Sequence, residues 1–208
     1  MANPPTDPEQ VIAGVSNALR SFICAYVPRV ASEEAVMFDS PAAWEGANEN
    51  RLSLYLYQIE INPELRNAPP TLSADESGPT LASLALTPAP LAVDLLYMLV
   101  VFGQSYDYEQ MIAGSVVSLL DRCGRIPSDF ITQPLRDSGN SKLAVVPQPA
   151  TIHMLRDLWA GFPNKPYHLT KLYTVSPVRL PAPTKLVDVV LTSNIGSAIT
   201  NRQAPPPR

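Results

Sequence analysis

The sequence predicts a single α+β domain, with a central mixed, mostly antiparallel sheet flanked by helices. Three observations carry this expectation. The first is the stretch RLSLYLYQIEI at residues 51–61, where Leu52, Leu54 and Leu56 fall on one side of a pleat and Tyr55, Tyr57, Ile59 and Ile61 on the other. A strand that is apolar on both faces needs a covering layer on each side, so it is expected in the middle of the sheet. The second is a pair of apolar stripes spaced by three and four residues. One runs through Val11, Ile12, Val15, Leu19, Phe22, Ile23 and Tyr26, the other through Tyr108, Met111, Ile112, Ser115, Val116, Leu119, Leu120 and Cys123. The third is length: 208 residues can fold as one domain that buries roughly 70% of the unfolded surface.

The elements follow in order. Residues 1–7 are expected as a flexible arm, 8–192 as the folded domain and 193–208 as a flexible Pro-rich tail. Asp7 can cap the first helix, Pro8 suits its first position, Glu9 favours its positive end, and Pro28 stops it after about Val27. Residues 28–50 read as an irregular connection with a short edge strand at 35–38, and Trp44 as a lid over the first helix. Residues 68–89, rich in Pro, Ser, Thr and Ala, are too long and biased for a tight hairpin and are expected as a mobile surface loop.

Residues 91–102 form a nearly continuous apolar run preceded by Pro88 and Pro90 and closed by Gly103. They are expected as a buried strand paired with the first one. Asp107 is the expected cap of the next helix, which Gly124 ends. Residues 130–132 and 142–146 flank the turn 137–140 and are expected as a protruding hairpin. Thr151 caps a short helix with Ile152, Leu155, Leu158 and Trp159 on one face, stopped by Gly161. Two last strands, 167–180 with a break at Pro177 and 186–192, complete the domain.

Composition narrows the function. A net charge of -4 without any basic run argues against a nucleic-acid partner, because phosphate binding needs clustered Lys and Arg. No apolar run approaches the ~20 residues of a membrane span, and the first residues lack the basic start and apolar core of a signal peptide. No membrane insertion and production in the cytoplasm are therefore expected. Charged residues are 16% of the chain, below the usual level of about a quarter, as for a surface that a partner covers. Cys24 and Cys123 are isolated and expected as small buried hydrophobes.

The two histidines, His153 and His168, have no ligand at metal-binding spacing, and there is no nucleophile elbow, phosphate loop or dinucleotide fingerprint. No catalytic residue, metal or cofactor is expected, and the chain is not expected to be an enzyme. Asp94, alone in an apolar strand, is expected to bond a neighbouring backbone group or one of Arg51, Arg66 and Arg179. A small hydrolase or ligand-binding module using Asp94 or His168 is the remote alternative.

Three stretches taken together point to a family. These are LSLYLYQIEIN at 52–62 with Leu65-Arg-Asn67, then PLAVDLLY at 90–97, and finally LRDLW at 155–159 leading to PYHLTKLYTVSPVR at 166–179. Across residues 8–180 they resemble the cap, or tail-terminator, proteins of extracellular contractile injection systems, which are phage-tail-like particles. The resemblance implies a phage tail-terminator-like fold and a homohexameric ring that ends the inner tube and anchors the last sheath ring. Its partners would be other copies of itself, the inner tube protein and the sheath protein. Assembly would occur in the bacterial cytoplasm, on a particle that can be released from the cell.

Within that picture, Asn62, Arg66 and Asn67 at the exit of the first strand are candidates for the meeting of ring subunits. Lys185, Leu186, Val187 and Val189 on the last strand, with Arg202 in the tail, are candidates for sheath attachment by strand addition. The alternatives within the same particle are a sheath-only terminator and a baseplate adaptor.

Overall fold

The computed structural model describes residues 7–44, 49–74, 84–182 and 185–186. Helix α1 (Pro8–Tyr26) starts as the sequence expects, with the Asp7 side chain accepting from the Glu9 amide at 3.1 Å. The chain then passes through β1 (Val36–Met37) into β2 (Arg51–Ile61). Strands β3 (Thr71–Ala74) and β4 (Leu84–Thr87) precede the long strand β5 (Leu91–Phe102). Helix α2 (Tyr106–Cys123), a short α3 (Gln133–Asp137), strand β6 (Ala144–Pro147) and α4 (Ile152–Ala160) follow, and then β7 (Thr170–Leu180) and β8 (Lys185–Leu186).

Five strands form one sheet in the order β1-β2-β5-β7-β6. Only β1 with β2 is parallel, so the sheet is mixed and mostly antiparallel. Its middle belongs to β5 and not to β2. Strand β5 is buried from Ala92 to Phe102 except at Asp94. In β2, Leu52, Ser53 and Leu54 are buried, but Gln58, Ile59, Glu60 and Ile61 are exposed. The apolar pattern on both faces ends near Tyr57, where the polar Gln58 and Glu60 follow a register shift, and β1 pairs only with Leu52 and Ser53. Beyond Ser53, no strand among the described residues covers its outer edge.

Both faces of the sheet carry helices. On one, Val11, Val15, Leu19, Phe22 and Ile23 of α1 and Ile112, Val116 and Leu120 of α2 pack on Leu52, Leu54, Leu95, Tyr97 and Leu99. On the other, Trp159 of α4 covers Met98, Val100, Phe102 and Leu172. Removing a fully buried leucine such as Leu95 from such a core costs on the order of 2–5 kcal/mol.

Further expectations are corrected by the packing. Trp44 does not lie over α1. It packs on the opposite face, 6.2 Å from the Phe102 ring, with the Arg51 guanidinium 4.3 Å from its own ring, because the connection rounds the β1 edge before reaching it. The cap of α2 is Ser105, with Asp107 inside the first turn. That start is fixed by Gly103, where a Cβ would stand 2.7 Å from the Glu109 amide nitrogen. Cys123 is exposed at the end of α2, whereas Cys24 is buried.

Residues 130–146 do not form a hairpin. Pro134 sits in the first turn of α3, where its missing N–H costs nothing, and β6 joins the main sheet beside β7. The turn between them is clipped by fully buried Asn140, whose amide accepts from Arg179 N at 2.7 Å and donates to Arg179 O at 2.8 Å.

Strands β3, β4 and β8 form a separate three-stranded sheet. The two ends of the expected loop at 68–89 are thus paired as β3 and β4, while residues 75–83 lie outside the described residues. So do residues 1–6, the stretch of the last expected strand beyond Leu186, and the expected tail.

Tyr97 supplies a test of this core. Its ring is fully buried in β5, and its hydroxyl meets Ser16 of α1 at 2.8 Å. Burial pushes its phenol up to about 12 from the ordinary 10.0, against a smaller opposing effect of the Ser16 hydrogen bond. Below pH 10 both folded and unfolded chains keep this proton, and the contribution to stability is complete. As pH rises from 10 toward 12 only the unfolded chain loses it, so stability falls. By pH 11 the native chain should lose about 1 kcal/mol relative to Tyr97→Phe, read from urea unfolding at successive pH values. Parallel pH profiles for the two proteins would contradict the burial assigned to Tyr97.

Candidate assembly interface

The exit of β2 is held by three strands at once. The Asn62 amide nitrogen donates to both Asp94 oxygens, at 3.0 and 3.2 Å, and Ser176 of β7 donates to the same carboxylate at 2.5 Å. Asn62 Oδ1 accepts from the backbone of Glu64 at 3.1 Å and of Leu65 at 3.0 Å, which folds the chain into a turn directly after the strand. The lone charge of β5 therefore ties β2, β5 and β7 together through charge-assisted hydrogen bonds. Among the described residues no arginine partners it: Arg51 pairs with Glu49, and Arg179 reaches the Gly139 carbonyl. Asp94 is a positioning group for the turn, which presents Glu64, Leu65, Arg66 and Asn67 to solvent.

The second group of sequence candidates lies elsewhere. Lys185 and Leu186 form β8, opposite Leu86 and Ala85 on the small sheet. No hydrogen bond among the described residues joins them to the Asn62 turn. Val187, Val189 and Arg202 lie outside the described residues.

His168 stands just before β7, with Nδ1 3.1 Å from Glu109 Oε1 and its ring 4.8 Å from that of Phe102. Beside it, Trp159 Nε1 donates to Thr170 Oγ1 at 3.0 Å, and that hydroxyl donates to the His168 carbonyl at 2.8 Å. The cluster anchors α2 and α4 to one end of the sheet. Among the described residues no Ser, Thr or Cys side chain hydrogen-bonds the imidazole, and no three His, Cys, Asp or Glu side chains gather as a metal site. His153 is exposed on α4.

Two of the concavities on the described surface flank α2. An apolar cleft of about 390 Å³ lies between α2 and the sheet, lined in part by Leu99, Val101, Gly114, Val117 and Tyr173. The buried Tyr173 hydroxyl there finds no hydrogen-bond partner among the described residues. A groove of about 590 Å³ at the end of α2 gathers Arg122, Arg125 and Lys142 with Ser128 and Ser141. The sequence reading missed this groove because its cations form no run. The left-handed turn at Gly124 (φ 58°) places Arg122 and Arg125 on one rim, and the Asn140 clip brings Lys142 to the other.

The Asp94 network predicts the behaviour of its own removal. Asp94→Ala leaves Asn62 and Ser176 facing no acceptor and should destabilise the fold by about 1–3 kcal/mol. It should also speed amide exchange at Leu65 while leaving α1 protected. Unchanged exchange at Leu65 would show that the turn stands without Asp94.

Residues 14–190 match the family described as the Pvc16 N-terminal domain. The fold is similar to the sheath/tube terminator, in its extended state, of the extracellular contractile injection system PVC. The TM-score is 0.60 at 18% identity, over 91% of this chain and 64% of that one. It is also similar to the anti-feeding prophage cap, the tube-terminating cap of that particle, with a TM-score of 0.58 at 20% identity, over 86% of this chain and 58% of that one. The chain thus spans less than two thirds of the length of either, and at these identities the likeness is one of fold. No curated protein sequence matches it. With its family model satisfied over most of its length and its fold shared with two terminators, the chain belongs to the Pvc16 N-terminal domain family.

Proposed function

We propose that the chain is the structural cap, or tail terminator, of a contractile injection system, forming a homohexameric ring that ends the inner tube and holds the last sheath ring. The observation that carries this reading is the family match over residues 14–190. Similarity in fold to a sheath/tube terminator and a tube-terminating cap supports it. The role is structural and not enzymatic. In line with this, the polar clusters of Asp94 with Asn62 and Ser176, and of His168 with Glu109, tie strands and helices together.

In this mechanism one face of the ring is complementary to the tube end and the opposite face offers no surface that another tube subunit can use. Growth stops for lack of a matching template. Asn62, Arg66 and Asn67 lie where ring subunits meet. The sheath is held by strand addition, its extended arm pairing with the edge that Lys185 and Leu186 begin and Val187 and Val189 continue, with Arg202 in the tail beyond. Assembly takes place in the bacterial cytoplasm, and the cap leaves the cell as part of the particle. No helix among the described residues is long and apolar enough to cross a membrane.

The test grows tubes and sheath in the presence of the full chain or of a chain ending at residue 192. The full chain should stop tube growth and retain the sheath, and the shortened chain should stop growth but hold the sheath more weakly. Tubes that lengthen normally with the full chain while the sheath ends normally would replace this reading with a sheath-only terminator. Normal growth with no effect on sheath would remove both.

A further inference from the structure

Two unlike surfaces project from opposite edges of the five-stranded sheet, and strand register puts them at the same level. Glu60 and Ile61 stand opposite Asp94 and Val93, and Val93 stands opposite Val178 on β7. Across the sheet, Ala144 of β6 stands opposite Ser176, with Lys142 two residues earlier and Arg125 bridged to Ala144. The exit of β2 and the basic groove are therefore the two flanks of one end of the sheet.

The flanks are complementary. On the β2 side, Glu60 and Glu64 are exposed together with Ile59 (49%), Ile61 (53%) and Leu65 (36%), and Arg66 is the one cation of that turn. On the β6 side, Arg122, Arg125 and Lys142 are exposed, no carboxylate lines their groove, and none of them forms an ion pair among the described residues. Pro127 lines the same groove, and Val146 of β6, four residues past Lys142, is half exposed. Three unpaired cations gathered in one groove of a chain with net charge -4 mark a place for an anionic partner. The residues 124–126 that border β6 bond to its outer backbone, Val145 N to Gly124 O and Ile126 N to Leu143 O, so contact there is through side chains.

We propose that the basic groove receives the β2 exit of a second copy of this chain, with Glu60 and Glu64 set against Arg122, Arg125 and Lys142. The apolar side chains Ile59, Ile61 and Leu65 close over Val146 and Pro127. A contact between different patches on opposite flanks is head-to-tail, which is the geometry that closes into a ring. The inference rests on the ring reading given above and names the contact that builds the ring.

The test uses two reversed variants, Glu60→Lys with Glu64→Lys and Arg125→Glu with Lys142→Glu. Self-association is measured by sedimentation and on tube ends, and arrest of tube growth is scored separately. Each variant alone should associate at least about tenfold more weakly than the native chain, and native association should weaken with salt. An equimolar mixture of the two should recover, since a ring with an even number of subunits can alternate them. Should either variant fail to fold, the neutral pair Glu60→Gln with Glu64→Gln gives the same reading as a smaller loss. Variants that associate like the native chain, or a mixture that does not recover, overturn the contact; continued tube arrest by the native chain would then leave the cap reading intact. Association that follows the charge pattern while tubes grow past the native chain sustains the contact and removes the cap reading.

Discussion

The burial of β5 on both faces is the constraint from which the rest of the fold follows. An eleven-residue buried stretch cannot leave backbone groups unpaired, so β2 and β7 run antiparallel along its two sides, and helices must cover its faces. Helices α1 and α2 take one face and α4 the other. The single polar interruption, Asp94, is satisfied by both neighbouring strands and so fixes where β2 ends and how its turn leaves the sheet. The same residue that relieves the core thereby positions a surface element.

Elements with strong local signals could be read from the sequence. Strand β2 has a clear alternating run, and β5 a run long enough for a helix whose flanking Pro88, Pro90 and Gly103 favour a strand. Helix α1 carries Asp7 and Pro8 at its start, and α4 lies between Thr151 and Gly161. Errors arose where a non-local contact decides. Ser105 and Asp107 are both good caps, and only the close approach of Gly103 to α2 selects between them. The hairpin expected around residue 137 gave way to a helix because Asn140 finds the β7 backbone, a partner 39 residues away.

The candidate surfaces show the same division. Asn62 could be picked out as the end of a strand, but its pairing with Asp94, 32 residues on, could not be read from spacing. Asp94 itself invited an arginine partner, and the sheet supplied an asparagine and a serine. The basic groove had no sequence signature at all, since its cations come from a helix end, a loop and the approach to β6. Shared fold with two terminators gives these surfaces their context, while their charges and positions belong to this chain.

The central claim, that the chain closes a tube as a ring, is tested most directly by cryo-electron microscopy of particles carrying a label fused to its first residue. The account predicts one ring of six labels at a single end of each tube, level with the last sheath ring. Labels distributed along the tube, or gathered at the baseplate end, would contradict it.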